Sequence, residues 1–439
     1  MNFRDTLGIN ALGHLQIGGC DACDLAKKYG TPLYVMDEDY IRKVARAFRN
    51  TIKKTYGDGN VAFASKAFSC MRIYKIMQEE NMNIDVVSGG EIFTALKAGF
   101  CLEHAYFHGN NKQESELELA LDNHIGEIVV DSLQEIEMIE KLCARKKMTQ
   151  KVLIRTNPGV EAHTHSFIQT ANIDSKFGFS VKNGQAKQAI DKIIAQKHLV
   201  FNGLHCHIGS QIFDKNAFEL AVDIVTDFVR DLAQDYNVKV NELNFGGGFG
   251  VHYCEGDPKY NVEEYSDYVE TLTSALNNAI EKKHIDKPYF MIEPGRSIVG
   301  EAGVTLYTVG TIKEIPDIKK YVNIDGGMTD NIRPALYDAK YEAVIANRAS
   351  EKCDDLVSVA GKCCESGDII IKDIMLPKAQ TGDTLAVFTT GAYCYAMSSN
   401  YNRNLIPPVV FVANGKSCFA VKPQTYDDLV RNDVLEEMK

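Results

Sequence analysis

The sequence predicts a (β/α)8 barrel joined to a second, mostly β domain with the character of a β-sandwich or a small barrel. Eight short apolar runs recur between residues 60 and 294, and helical patterns separate several of them. After about residue 300 the pattern changes to short strand-like runs with few helices. Strands that alternate with helices indicate parallel pairing, and the count of eight favours a closed barrel over an open doubly wound sheet.

The barrel prediction depends on the spacing of these runs and on the helices between them. The runs of strand length are 60–65, 83–88, 104–109, 127–132, 151–157, 201–207, 241–247 and 288–294. Apolar residues keep to one helical face in 132–147, 215–235 and 262–283. Ser132 followed by Glu135 predicts a capping box at the start of the first of these helices.

The second domain is predicted to be discontinuous. A chain of 439 residues exceeds what one hydrophobic core usually supports, so two domains are expected. We assign 36–300 to the barrel and 1–35 plus 301–439 to the β domain. Within the β domain, Asn414-Gly415 between two apolar runs predicts a hairpin with a type I′ turn.

Composition excludes several classes of function. The net charge is −11 and no cluster of lysine and arginine would suit a phosphate backbone, so nucleic acid is not an expected partner. No apolar run reaches 18 residues, and the N-terminus has no basic segment followed by an apolar one. We therefore expect a cytoplasmic protein without a membrane segment. Of twelve cysteines only those at 20–23 form a C-x2-C pair, which predicts reduced thiols and no zinc site.

The chemistry is expected at one end of the barrel, because active sites of this fold lie at the carboxyl ends of the strands. These positions hold a lysine, histidines, a glutamate, arginines and several glycine-rich turns. They are Lys66, "SGGE" at 88–91, "HGNN" at 108–111, Asp131, "RTNPG" at 155–159, "HCHIGSQ" at 205–211, "GGGFG" at 246–250 and "EPGR" at 293–296.

Three neighbouring strand ends favour a phosphate site. The glycines of "GGGFG" let backbone N–H groups approach an anion, although such a turn alone is weak evidence. "EPGR" adds a further glycine and Arg296, and Ser210 adds a hydroxyl. Strands seven and eight are the usual location of a phosphate site in this fold.

His205 and His207 alternate along a strand and could therefore ligate a metal ion together. A metal site would need a third ligand, for which Asp131, Glu293 or His252 is available, but no spacing enforces it. Stacking or hydrogen bonding by one histidine, or a structural role, is an equally good interpretation. We predict no metal.

A lysine, a phosphate site and a carboxylate at one barrel mouth indicate pyridoxal phosphate. Lys66 would hold the cofactor as an imine, which requires the lysine to lose its charge in a dry pocket. Glu293 would keep the pyridine nitrogen protonated, which makes the ring a strong electron sink. This favours carbanion chemistry such as the loss of CO2.

The chain resembles the diaminopimelate decarboxylases, pyridoxal phosphate enzymes with an alanine-racemase-like barrel and a C-terminal β domain. The resemblance runs nearly end to end, and the order and number of its motifs make it specific. The motifs are "FASKAF", "DVVSGGE", "RTNPGVEAHTHSFIQTANIDSKFGF", "GLHCHIGSQI", "NFGGGFG", "EPGRSIVG", "DNIRPALY", "CCESGD" and "GAYCYAMSSNYN".

The resemblance implies a role for each of several cofactor-site residues. Lys66 would carry the cofactor, His207 would stack on its ring and Glu293 would pair with the pyridine nitrogen. The phosphate contacts that it implies are Ser210, Gly246, Gly247, Gly248, Gly295 and Tyr393, with Arg296 beside them.

The resemblance also implies a substrate, a proton donor and a homodimer. Arg296, Arg333 and Tyr337 would contact the substrate's distal carboxylate, with Tyr393 nearby. Cys364 would be the general acid and Glu365 would hold the distal ammonium group, both reaching the active site from the partner subunit.

The function implied is decarboxylation of meso-2,6-diaminopimelate to L-lysine and CO2, the last step of lysine biosynthesis. Arginine suits a distal carboxylate because it binds it in a bidentate way. The alternatives are a decarboxylase of ornithine, lysine or carboxynorspermidine, and a non-catalytic pyridoxal phosphate carrier.

The chain departs from the family pattern at Cys394, where glycine is common, and in a C-terminal tail without the usual arginine-rich stretch.

Overall fold

A computed structural model of the chain describes residues 5–160 and 175–436. It divides into two compact units, which we name the β unit and the barrel unit. The β unit is Met1–Arg42, Val251–Lys259 and Val299–Lys439, and the barrel unit is Lys43–Gly250 and Tyr260–Ile298. These limits lie close to the expected boundaries at 36 and 300, except that 251–259 belong to the β unit. That 36–300 and the remaining residues are domains that fold separately stays a prediction.

The secondary structure alternates strand and helix in the barrel unit and is mostly strand in the β unit. The strands are β1 (Leu7–Ile9), β2 (Leu15–Ile17), β3 (Cys20–Asp21), β4 (Leu33–Asp37), β5 (Gly59–Ala64), β6 (Asn83–Val86), β7 (Ala105–Phe107), β8 (Glu127–Val130), β9 (Gln150–Asn157), β10 (Phe179–Ser180), β11 (Leu199–Cys206), β12 (Glu242–Asn244), β13 (Tyr289–Ile292), β14 (Gly303–Ile315), β15 (Lys319–Ile324), β16 (Ala343–Ile345), β17 (Asp355–Ala360), β18 (Ile369–Leu376), β19 (Thr384–Phe388), β20 (Val409–Ala413) and β21 (Lys416–Val421). The helices are α1 (Ala22–Tyr29), α2 (Glu38–Thr55), α3 (Met71–Glu79), α4 (Gly89–Lys97), α5 (Glu114–Asp122), α6 (Leu133–Lys146), α7 (Gln185–Ile194), α8 (Asn216–Tyr236), α9 (Ser266–Lys283), α10 (Arg296–Val299), α11 (Arg333–Tyr337) and α12 (Tyr426–Val430).

The barrel unit contains the predicted closed barrel of eight parallel strands. Its order is β5-β6-β7-β8-β9-β11-β12-β13, and pairing of β13 with β5 closes it. Each predicted run coincides with one of these strands, and the short strand β10 adds to β9 from outside. The prediction of a (β/α)8 barrel with a mostly β second part is confirmed.

The strands are apolar nearly throughout because both faces of the barrel wall are covered. Side chains from five strands meet in one interior cluster: Ala62, Tyr106, Val129, Leu153 and Met291. Helices pack outside, so the polar groups of the barrel concentrate at its two ends.

The predicted capping box at the start of α6 is wrong in one half. The Ser132 hydroxyl accepts the Glu135 N–H, as expected for the cap residue. The Glu135 carboxylate, however, accepts the Asp131 N–H at 2.9 Å and pairs with Lys112 Nζ at 2.6 Å. The Lys112 side chain is only 1% exposed. A buried cation without an anion costs more free energy than a helix cap without its second hydrogen bond, so Glu135 pairs with Lys112.

The β unit contains a separate three-stranded antiparallel sheet of β1, β2 and β3 and a larger, nine-stranded mixed sheet. The order of the larger sheet is β18-β17-β15-β14-β4-β20-β21, and β16 and β19 join it through β14. The strand β14 is 13 residues long and pairs with β4, β15 and β19, with a register shift between Val309 and Ile312. The predicted hairpin is confirmed, because β20 and β21 pair antiparallel around Asn414 and Gly415, both at positive φ.

Across the parts of the chain that the structure describes, no helix is both long and apolar enough to cross a membrane.

Candidate active site

Lys66 follows directly after strand β5, in a 3-10 turn. Its neighbours Ser65 and Ala67 are fully buried, whereas Lys66 itself is exposed. The small neighbours therefore fix the backbone of the lysine and do not cover its side chain. Ser65 and Ala67 therefore do not supply the dry pocket that an imine lysine requires.

Two carboxyl groups lie within electrostatic range of Lys66. Asp85, within β6, is 1% exposed, and among the described residues its Oδ1 has no hydrogen-bond partner. Burial raises the pKa of Asp85, although the charges of His108 and Lys66 act against that rise. Glu91 accepts the Val87 N–H at 2.8 Å, and burial raises the pKa of Glu91 to about 7.

The centre of the barrel mouth is the Glu293 carboxylate, which follows β13 and is 6% exposed. Its Oε1 accepts from His108 Nε2 at 2.8 Å and from Asn244 Nδ2 at 2.7 Å. Its Oε2 accepts from His205 Nε2 at 3.0 Å. Three strand ends thus direct N–H donors at one carboxylate.

This arrangement keeps Glu293 ionised. Burial alone would raise its pKa, but His108 and His205 outweigh burial and hold the pKa of Glu293 well below its usual range. Burial lowers the pKa of His205 to about 4, so this imidazole is neutral at pH 7 and donates through Nε2. The site therefore holds a buried anion that hydrogen bonds stabilise.

The same three side chains, His108, His205 and Glu293, lie close enough together to be considered for a metal ion. Both carboxylate oxygens already accept ring N–H groups, and a metal would have to replace those protons. Of the further ligands considered, Asp131 accepts the Gly178 N–H and His252 Nδ1 lies 3.1 Å from the Asp257 carbonyl oxygen. The geometry favours a hydrogen-bonded carboxylate over a metal centre.

The glycines of the predicted phosphate turn lie where strand ends touch through their backbones. A Cβ on Gly247 would lie 2.2 Å from the Glu293 carbonyl oxygen, and one on Gly248 would lie 2.3 Å from the Gly209 carbonyl oxygen. Gly246 has φ of +63° and Gly295 packs against Ala64, whose Cβ would lie 2.9 Å from an added Cβ. No side chain fits here, so backbone N–H groups line this part of the mouth.

Polar side chains flank the glycine turn. Arg296 Nη2 donates to Ser210 Oγ at 3.1 Å, so the arginine and the hydroxyl lie together. His207 is half-buried and its Nδ1 accepts the Gly247 N–H at 3.3 Å. Burial, together with the charges of Lys66 and Arg155, holds the pKa of His207 well below its usual range.

A cavity of about 200 Å³ lies beside His207 in the barrel unit. Arg155, Asn157, Phe177 and Gly209 are among its lining residues. The barrel mouth thus combines room, a lysine, backbone donors and one fixed anion.

The remaining predicted site residues belong to the β unit, where Arg333 is the most unusual. The residue is 7% exposed, and among the described residues its guanidinium has no carboxylate within 4.0 Å. It donates to the Tyr341 hydroxyl at 2.6 Å and lies over the ring of Tyr253 at 4.9 Å. A buried guanidinium with aromatic neighbours and no counter-ion is prepared to receive a carboxylate.

Tyr337 and Tyr393 differ in their surroundings. Tyr337 ends α11 and is 61% exposed. Tyr393 is half-buried and has φ of +62°, an uncommon conformation for a bulky residue that frequently marks a functional position.

Cys364 and Glu365 are exposed on a loop with a fixed base. The buried Asp368 accepts the Cys363 N–H at 2.8 Å and the Met328 N–H at 2.6 Å. The Cys364 N–H donates to Asn402 Oδ1 at 2.8 Å. The loop thus presents a thiol and a carboxylate to the outside while its backbone is held.

Sequence reasoning missed the partners of the site residues. Asp85 lies inside β6 and Asn244 is the last residue of β12, whereas the prediction used the residues that follow each strand; a polar residue within an apolar run was the available signal. Of the partners of Arg333, Tyr253 lies far away in sequence and Tyr341 lies eight residues on, beyond the end of α11, so no helical or strand spacing indicated them.

Comparison with known proteins identifies the family. A family model described as "Pyridoxal-dependent decarboxylase, pyridoxal binding domain" matches residues 41–300. The diaminopimelate decarboxylase of Bacillus subtilis is 50% identical over 97% of this chain and 96% of that protein, and that of Staphylococcus aureus is 49% identical over 98% and 99%. A solved structure of diaminopimelate decarboxylase from M. jannaschii in co-complex with L-lysine has a TM-score of 0.90 and 33% identity, covering 99% of this chain and 98% of that one.

These matches run through both units, and they confirm the resemblance and the cofactor predicted from the sequence. The chain therefore belongs to the diaminopimelate decarboxylase family, whose members are pyridoxal phosphate-dependent carboxy-lyases.

Proposed function

We propose that the chain decarboxylates meso-2,6-diaminopimelate to L-lysine and CO2, as the last step of lysine biosynthesis. Relatives at about half identity carry this name, and one solved relative holds L-lysine. The observation in this chain that carries the substrate assignment is Arg333, a buried guanidinium without a carboxylate partner among the described residues. Diaminopimelate has a second carboxylate, at the end that does not react.

Pyridoxal phosphate fits the barrel mouth on three observations: the glycine turns that exclude side chains, the hydroxyl and guanidinium beside them, and the fixed anion at Glu293. When bound, the cofactor supplies an electron sink that stabilises negative charge at the substrate α-carbon. We assign its covalent attachment to Lys66 and its phosphate to Ser210, Gly246, Gly247, Gly248, Gly295, Arg296 and Tyr393.

Glu293 would bind the protonated pyridine nitrogen, since the carboxylate is already ionised and held in place by three donors. A fixed anion costs no reorganisation during the reaction, which is the usual origin of a large electrostatic effect. His207, at the edge of the glycine turn, would pack on the ring face.

We assign Arg296 to the distal end of the substrate. Arg333 would bind the distal carboxylate, with Tyr337 and Tyr393 beside it, and Glu365 would bind the distal ammonium group. The Cys364 thiol would donate the proton that replaces the lost carboxyl group, so its Sγ–H must be present at the start of each turnover.

We further propose that the enzyme is a homodimer in which Cys364 and Glu365 act in the partner's active site. Both side chains are exposed on an anchored loop, which is how a residue that serves a second chain would be presented. A cytoplasmic location is proposed on the twelve cysteines, all of which are free thiols in the structure.

The alternatives make less use of these residues. Ornithine or lysine as substrate would leave Arg333 buried and without an anion, which is costly. A non-catalytic carrier would have no need of a thiol and a carboxylate on an anchored loop.

The test is CO2 release by the holoenzyme from meso-diaminopimelate, ornithine and L-lysine, compared between the natural chain and Arg333→Gln. We expect release from meso-diaminopimelate alone and a large loss in the variant. Release from ornithine but not from meso-diaminopimelate would overturn the proposal. Lys66→Ala should lose both activity and the absorbance of the attached cofactor, and a coloured, active variant would overturn the lysine assignment.

A further inference from the structure

The buried charge of Arg333 has a supporting structure of its own within the β unit. Tyr253 and Tyr341 are 7% and 3% exposed, and their rings meet edge to face with centroids 5.5 Å apart. The guanidinium carbon lies 4.9 Å from the centre of the Tyr253 ring and 5.8 Å from that of Tyr341. Two aromatic rings therefore enclose the cation and exclude water from it.

A chain of hydrogen bonds holds the guanidinium within this enclosure. Arg333 Nη1 donates to the Tyr341 hydroxyl oxygen at 2.6 Å. The Tyr341 hydroxyl lies 3.7 Å from the sulfur of Cys394, which is fully buried. Because the arginine has no acceptor, the Tyr341 oxygen must accept from it, which leaves the tyrosine's own proton available for Cys394 Sγ.

The electrostatics agree with this direction. Burial raises the pKa of Tyr341 well above its usual range, so the phenol keeps its proton and acts as donor towards the sulfur. Burial disfavours the charge of Arg333, but the facing side chains Tyr253 and Tyr341 more than compensate, and the pKa of Arg333 is raised. The guanidinium stays charged.

Within residues 5–160 and 175–436, one N–H of the guanidinium is used in this way. The planar group has five N–H donors in a rigid fork, and two parallel donors are needed to bind a carboxylate in a bidentate way. The direction of the free donors is set by the one that is fixed. Without that bond, the planar group could rotate between the two rings.

We infer that Tyr341 and Cys394 are positioning residues for the substrate's non-reacting carboxylate: the Cys394–Tyr341 pair fixes the rotation of the Arg333 guanidinium. This inference rests on the proposed function, because it assigns that carboxylate to Arg333. It gives a role to Cys394, one of the positions where the chain departs from the family pattern. Neither residue needs to touch the substrate.

The test uses two inhibitors of the holoenzyme that differ by one carboxylate. L-lysine keeps the carboxylate of the non-reacting end, and cadaverine is the same diamine without it. In Tyr341→Phe the ring remains and the hydroxyl is lost, so the inhibition constant of L-lysine should rise about tenfold, as expected for one hydrogen bond to a charged group. The constant for cadaverine should not change, and KM for meso-diaminopimelate should rise while kcat is kept.

Cys394 supplies a graded pair of variants. Cys394→Ala removes the acceptor and should raise the L-lysine constant about threefold, as expected for a weaker neutral bond. Cys394→Ser keeps an acceptor and should restore most of the affinity. Tyr56→Phe is the matched control, since Tyr56 also donates from a buried hydroxyl, to the Pro288 carbonyl oxygen at 2.7 Å, but in the barrel unit.

The outcomes separate the two proposals. If Arg333→Gln loses L-lysine affinity but Tyr341→Phe does not, or if Tyr341→Phe weakens L-lysine and cadaverine equally, the positioning role is wrong and the proposed function stands. If Arg333→Gln leaves L-lysine affinity unchanged, the assignment of the distal carboxylate itself fails.

Discussion

Buried glutamates at the two ends of the barrel have pKa values that are shifted in opposite directions. At the carboxyl end, Glu293 is 6% exposed, accepts from three N–H groups and has its pKa held well below the usual range. At the amino end, Glu127 and Glu242 begin strands β8 and β12 and are 7% and 5% exposed. Burial raises the pKa of Glu127 to about 8 and that of Glu242 to about 7.

Burial is similar at the two ends, so neighbouring charges and the number of donors explain the difference: the histidines lower the pKa of Glu293, whereas Glu242 raises that of Glu127. Asn202 Nδ2 lies 3.0 Å from Glu127 Oε1 and 3.5 Å from Glu242 Oε2, so one amide serves two carboxyl groups. Among the described residues, Glu127 Oε2 and Glu242 Oε1 have no hydrogen-bond partner. Ionisation is therefore stabilised at the reactive end and opposed at the other end.

The largest effect on kcat should come from replacing the buried carboxyl group at the reactive end by an amide. The same replacement at the other end is the comparison. Glu293→Gln is expected to lower kcat about 100-fold or more, because an amide cannot balance a protonated pyridine nitrogen. Glu242→Gln replaces an equally buried carboxyl group and should keep kcat within about twofold, since it lies away from the reactive end. CO2 release at saturating substrate and cofactor measures both, and equal losses would show that burial matters and position does not.

A smaller effect should follow from removing one donor. In His108→Phe, Glu293 loses the bond from Nε2, so its pKa should rise towards the usual range and the acidic limb of kcat/KM should move to higher pH. Activity at pH 4.5 should fall about twofold relative to pH 8, because a carboxyl group whose pKa has returned to its usual range is about half protonated there. Asn202→Leu, which removes the donor of the opposite end, should leave that limb in place. An unmoved limb in His108→Phe would contradict the role of the donors.

The amino end should appear in the pH dependence of stability. Glu127 and Glu242 hold protons more tightly in the folded chain than at their ordinary pKa of 4.5. Folding therefore binds protons between about pH 5 and pH 8, and the free energy of unfolding falls as pH rises through that window. Glu242→Gln should remove part of this fall. From pH 5 to pH 8.5, the free energy of unfolding of the variant relative to the natural chain should therefore increase by about 1 kcal/mol. Urea unfolding of both holoenzymes at the two pH values measures this, and a constant difference would contradict it.

The smallest effect concerns the phenol that faces Glu242. The Tyr106 hydroxyl lowers the pKa of this carboxyl group against burial. Tyr106→Phe should therefore destabilise the chain by about 0.5 kcal/mol at pH 8.5, where Glu242 is ionised, and by less at pH 5. The same loss at both pH values in urea unfolding would mean that the ring, and not the hydroxyl, accounts for it.

The sequence predicted features that depend on neighbouring residues or on one end of a strand. Asn414-Gly415 specifies a hairpin because its turn needs two positive φ angles, and Lys66 and Glu293 stood out because strand ends converge at the barrel mouth. The capping box failed because Lys112, 23 residues before Glu135, needed the same carboxylate. The residues next to Glu135 in the sequence do not reveal that Lys112 competes for its carboxylate.

The donors of Glu293 and the enclosure of Arg333 escaped for a related reason. His108 lies 185 residues from Glu293, and Tyr253 lies far from Arg333 in the chain, so only the closed barrel and the folded β unit bring them together. Sequence periodicity reports which face of an element is buried, not which polar groups meet inside.

The close approach at Gly247 links two parts of the mouth mechanically. A methyl group there would press on the carbonyl oxygen of Glu293, and Glu293 N–H itself donates to the Gly246 carbonyl oxygen at 2.7 Å. The turn and the anion therefore share one backbone junction, and a shift of one displaces the other. Any larger residue at position 247 would move the carboxylate without touching it, so tolerance to substitution at this turn is limited by the opposite side of the mouth.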